Sequence, residues 1–169
     1  MLRNLFIKNI VLINDLKIDF TNGLTVLTGE TGSGKSILLE GLGLALGSRA
    51  NFELIGNLSD KSIVTAIFTM ENNNFIFESL NNLGIEVEND LILKRIISKD
   101  GKSRAFINDF QVGVNTLRKI GFSLVEIQGQ FENHELLDSK THLFLLDSYG
   151  KYQTLNEKLN RSHKSIKII

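Results

Sequence analysis

Cysteine and proline are both absent from the 169 residues. The first absence excludes disulfides and thiolate metal sites and fits a reducing compartment. The second accompanies an abundance of Asn, Ile and Lys that reads as a composition bias without functional content. Net charge is missing too: 19 basic and 19 acidic side chains balance, so bulk charge argues neither for nucleic acid nor against it. No apolar run approaches the length of a membrane span. The N-terminus has no apolar signal core and no small-residue cleavage site, so a cytoplasmic location without a membrane partner is expected. His134, His142 and His163 show no metal spacing and read as surface or helix-end residues. What remains is an ordinary globular composition, 42% apolar and 22% charged, in a chain long enough for one domain with a buried core.

The pattern along the chain alternates strands with helices. Residues 2–29 read as three strands, the last being the short apolar "LTVLTG"; "TNG" at 21–23 marks a turn. Residues 34–46 read as a helix with little polar face, expected to be buried against a sheet. "KSIVTAIFTM" (61–70) is a strand and "NNFIFESLNNLG" (73–84) a helix ending at Gly84. "DLILKRIIS" and "SRAFIND" form a hairpin around Asp100-Gly101. "VNTLRKIG" predicts a short helix and "FSLVEIQ" a buried strand, and from Asn133 the pattern turns helical. Tyr152, Leu155, Leu159, Ser162, Ile166 and Ile169 recur at alternating spacings of three and four, which is a heptad seam with one polar interruption. An ordinary amphipathic helix has the same pattern over so short a stretch.

The chemistry is concentrated in "GETGSGKS". Gly29, Glu30, Thr31, Gly32, Ser33, Gly34, Lys35 and Ser36 match the phosphate-binding loop G-x-x-x-x-G-K-[ST] at every fixed position. The glycines allow backbone N–H groups to turn inward around phosphate oxygens. Lys35 is placed to reach the β- and γ-phosphates and the Ser36 hydroxyl to ligate Mg²⁺, with the following helix N-terminus aimed at the same anion. ATP and Mg²⁺ are the expected ligands. A dinucleotide site is disfavoured by the spacing.

A phosphate loop holds a nucleotide without hydrolysing it. Hydrolysis needs an apolar strand ending in Asp, commonly followed by Glu, for the metal and the attacking water. "LFLLDS", ending at Asp147 and Ser148, imitates that strand, but it lies in a helical pattern and lacks the Glu. A signature segment of the "LSGG" kind is absent; "NLSD" at 57–60 lacks its glycines.

Three stretches together, "LFIKNIVLINDLKIDFTNGLTVLTGETGSGKSILLEGLGLALGSRA", "LILKRIISKDGKSRAFIND" and "LVEIQGQFENHELLD", resemble the RecN family of SMC-like DNA repair ATPases. The resemblance covers about residues 2–150. It implies an α/β P-loop fold of the ABC/SMC head type: the N-terminal lobe, a mixed sheet around the Walker A helix, in residues 1–150, and the start of a coiled-coil arm in 151–169. It implies a C-terminal half of the head elsewhere, carrying the remaining catalytic groups, so that this chain alone is expected to be inactive. It further implies recombinational repair of double-strand breaks, DNA as a partner, and a homodimer closed through ATP. Gln130 matches the family's Q-loop glutamine, a catalytic and Mg²⁺-contacting role; on its own it reads as a polar residue closing a strand. Gln128 stands where the family usually has histidine. Arg49 either corresponds to an arginine near nucleotide or DNA or serves the helix dipole. Lys94, Arg95, Lys99, Lys102 and Arg104 make the hairpin basic, which suits either a phosphate backbone or a solvated edge. Two other readings keep the loop: an ABC-transporter ATPase subunit, and a non-catalytic remnant.

Overall fold

The computed structural model describes residues 1–30, 34–70, 74–87, 89–125 and 127, and beyond these only positions 146, 149, 150, 152, 155, 158, 159 and 162. The chain divides into two compact units, Met1–Glu126 and Ile127–Ile169.

The first unit is built on a six-stranded sheet in the order β2-β1-β3-β4-β5-β6. The strands are β1 (Leu2–Ile10), β2 (Ile13–Asp19), β3 (Lys61–Thr69), β4 (Asp90–Ser98), β5 (Ser103–Ile107) and β6 (Phe110–Val112). Every pairing among the described residues is antiparallel. Alternation along each strand sorts side chains onto two faces. The register aligns Ile7 with Val64, Val64 with Arg95 and Arg95 with Ala105, and all four are buried. Leu5, Ala66, Leu93 and Ile107 form the next buried row.

This face carries the helices. The helix α1 (Lys35–Ala45) lies on β1, β3 and β4, and α3 (Val114–Leu124) lies against β5; the third helix, α2 (Asn74–Asn81), touches α3. Close approach rests on glycine at two points. A Cβ on Gly41 would stand 2.7 Å from Ile7 Cδ1, and one on Gly121 would stand 2.5 Å from the Leu46 carbonyl oxygen. α1 closes with Gly47 left-handed at φ 94° and the Ser48 N–H bonded back to the Gly43 carbonyl, the glycine-terminated stop that satisfies the last carbonyls.

Most predicted elements appear at their predicted places; three differ. The expected third strand at 24–29 takes no strand conformation, and Leu24, Val26 and Leu27 are 92%, 68% and 46% exposed. A strand needs a neighbour for its backbone groups, and none of the described strands pairs with this segment. The short helix beginning at Val114 runs on to Leu124, so Phe122–Leu124 are helical where a buried strand was expected. The helix after the loop is less buried than its composition predicts: Leu39 is 51% exposed, while the C-terminal Leu44 and Ala45 are buried.

In the second unit, Leu146, Tyr149, Leu155, Lys158, Leu159 and Ser162 are helical. Of the heptad seam, Tyr152, Leu155 and Leu159 are exposed; Ile166 and Ile169 lie outside the described residues.

Candidate functional site

The loop at 29–36 enters from an extended segment and ends on a helix. Gly34 is left-handed at φ 91°, a conformation only glycine adopts without strain, and it is the N-cap of α1. No side chain caps this N-terminus and no acidic residue stands in its first turn. The positive end of the helix dipole therefore faces the loop without a side-chain cap, as an anion requires. The first internal bond is Leu38 N–H to the Gly34 carbonyl at 3.1 Å.

Lys35 curls back over the loop. Its ammonium donates to the carbonyls of Gly29 and Glu30, the latter at 2.7 Å. The lysine Nζ thus stands against the first two carbonyls of the loop, and a phosphate arriving there would exchange them for stronger charge-assisted bonds. Ser36 is exposed at the start of the helix, where its hydroxyl can meet a metal bound to such a phosphate. The arrangement fits Mg-nucleotide: donors and one ammonium for the phosphates, one hydroxyl for the metal. Thr31, Gly32 and Ser33 lie outside the described residues, as do Gln128, Gln130, Asp147 and the histidines. Among the described residues no acidic or histidine cluster could hold a metal by itself.

Arg49 is exposed beyond the end of α1, away from the helix end that bears the loop. The basic hairpin is not one surface. Lys99 and Lys102 pair with Asp60 at 3.6 Å and Asp100 at 2.8 Å around the turn. Lys94 and Arg104 belong to the face opposite the helices, and Arg95 is buried beneath them with its Nε bonded to Ser103 Oγ at 2.8 Å.

A family model described as an AAA domain matches residues 4–169. The chain belongs to the AAA domain family. Relatives of this AAA domain include "DNA repair protein RecN" of Halalkalibacterium halodurans, 41% identical over 89% of this chain and 27% of that protein. RecN of Vibrio cholerae is 34% identical over 98% of this chain and 30% of its own length. The AAA domain chain thus spans about 30% of the curated relatives it matches. Its fold is that of an SMC head. The crystal structure of the Smc head domain with an extended coiled coil, derived from Pyrococcus furiosus and bound to the C-terminal domain of ScpA, superposes with a TM-score of 0.66 at 18% identity, covering 97% of this chain and 46% of that one. The loop at 29–36 therefore sits in the SMC-head type of fold that its sequence implied, and no described helix is long and apolar enough to cross a membrane.

Proposed function

We propose that this chain is the ATP-binding lobe of a RecN-like, SMC-type ATPase that acts on broken DNA in the cytoplasm. The observation that carries the reading is the left-handed Gly34 opening α1, with Lys35 folded over the carbonyls of Gly29 and Glu30. Gly29–Ser36 cradle the phosphates, Ser36 ligates Mg²⁺, and Gln130 contributes to the metal and the attacking water. The carboxylates and signature segment needed for turnover lie in the part of the relatives' length that this chain does not span, so the chain binds ATP without turning it over. Residues 151–169 start the coiled-coil arm, and the exposed Tyr152, Leu155 and Leu159 support that. In the full protein two heads close on each other through ATP.

Calorimetry with Mg-ATP tests this. Charge-assisted bonds contribute about 1.5–3 kcal/mol, so Lys35→Ala should weaken binding by roughly ten- to hundredfold. Equal affinity in the variant would refute the site. Ser36→Ala should blunt the Mg²⁺ dependence more than binding without metal.

A further inference from the structure

The face of the sheet that carries none of the described helices has an unusual surface. One register row runs across all six strands: Lys17 on β2, Phe6 on β1, Thr65 on β3, Lys94 on β4, Phe106 on β5 and Gln111 on β6. None of the six is buried, although the alternate residues of the inner strands are. A one-sided antiparallel sheet ordinarily turns polar side chains outward. This one turns out two aromatic rings, two ammonium groups, a hydroxyl and an amide; the Lys17 ammonium pairs with Asp19 at 3.2 Å on the same strand. The Lys17 ammonium stands 5.7 Å from the centre of the Phe6 ring. Lys94 has no ion pair among the described residues, and Arg104 lies exposed on the same face one register step away.

We infer that this row is a platform for single-stranded nucleic acid. Phe6 and Phe106 stand three strand spacings apart, about 14 Å. Lys94 lies between them and Lys17 flanks the outer ring. Aromatic faces on an open antiparallel sheet accept unstacked bases, and interleaved cations accept the phosphates that join them. A duplex cannot use the rings, because its bases are already stacked. An acidic peptide could use the cations, but it would not need aromatic rings alternating with them in one line. With only Thr65 and Gln111 offering hydrogen bonds, the platform reads backbone and π-faces and discriminates weakly among bases. The inference rests on the DNA-repair reading only for the setting in which such a strand occurs. The platform and the phosphate loop use different residues and are separable by experiment.

The test is fluorescence anisotropy of the whole chain with a labelled oligothymidylate of about 16 nucleotides, across a salt series, with Mg-ATP calorimetry on the same preparations. The expected result is binding that Phe106→Leu weakens by about tenfold at an unchanged salt slope. Lys94→Gln should reduce the slope by about 0.7. Lys119→Gln, on α3, should change neither quantity. Far-UV circular dichroism checks that the variants fold. A chain that binds Mg-ATP but not the oligonucleotide, a Phe106→Leu variant with wild-type affinity, or displacement by duplex and single strand in equal measure would each overturn the platform and leave the nucleotide site standing. Loss of Mg-ATP binding with oligonucleotide binding intact would do the reverse.

Discussion

Arg95 is a charge inside the sheet. It is 3% exposed, its Nε is held by Ser103, and its Nη1 has no hydrogen-bond partner among the described residues. Burial pushes its pKa below the ordinary arginine value, though a guanidinium stays charged at any pH the protein meets. A buried polar group without a partner costs about 1–3 kcal/mol. Arg95→Met keeps most of the side-chain volume and removes the orphaned donor, so the variant should match or exceed the wild-type Tm. A fall of several degrees would show that the guanidinium holds a partner. Period-two alternation along "LILKRIIS" already placed Lys94 and Arg95 on opposite faces; what it left open is which face meets the helices. Counting the basic residues of the hairpin as one patch therefore joined groups that the fold separates. The left-handed Gly34 was legible, because the loop motif specifies a local backbone there and needs no tertiary information. Asn9 was not legible at all. It is left-handed at φ 58°, and its Nδ2 bonds the carbonyls of Ser59 and Lys61 at 2.9 and 2.8 Å, partners fifty or more residues away.

Elements were legible where local pattern and tertiary environment agree. β3 and β4 alternate apolar side chains on both faces and end on turn signals, and the Asp100-Gly101 turn forms with Gly101 left-handed at φ 80°. β6 has three residues, too few to show a period. Residues 122–124 were misread because Phe, Ser and Leu suit a strand as well as a helix; contact decides the matter. Gly121 lets α3 settle on the end of α1, where the Leu46 carbonyl occupies the space a side chain would need, and Gly47 likewise meets Arg118. Gly121→Ala should push these two helices apart. The three nearest atoms are Leu46 backbone, so none can rotate away. The expected cost is about 1–3 kcal/mol, seen as a Tm lowered by several degrees in differential scanning calorimetry. Gly84→Ala is the contrast: its φ of 71° is positive and its Cβ would meet open space, so strain acts there without a clash, whereas Gly121 is helical and meets only the clash. An unchanged Tm in Gly121→Ala would show that the two helices separate without cost.

The molecule as a whole leaves apolar surface without cover. Leu24, Val26 and Leu27 stand exposed in an extended stretch that leads directly into the phosphate loop. Their sequence is that of an interior strand, apolar on both sides, and such strands are buried in sheets by neighbours on either edge. Among the described residues no strand pairs with it, so there the segment offers N–H and C=O groups together with apolar side chains, the combination that recruits another chain. The protein should therefore self-associate weakly, with an average mass that rises with concentration in sedimentation equilibrium. Val26→Lys places a charge on an edge that must desolvate to pair. It should return the chain to a monomer without lowering Tm, since Val26 contributes little to the core at 68% exposure. The same substitution should leave Mg-ATP affinity unchanged, because the loop's geometry is set by Gly34 and the start of α1 rather than by strand pairing. A concentration-independent monomer in the wild type would show that the segment is satisfied within its own chain. Association that survives Val26→Lys would move the sticky surface elsewhere, and the exposed Tyr152, Leu155 and Leu159 would be the next positions to change.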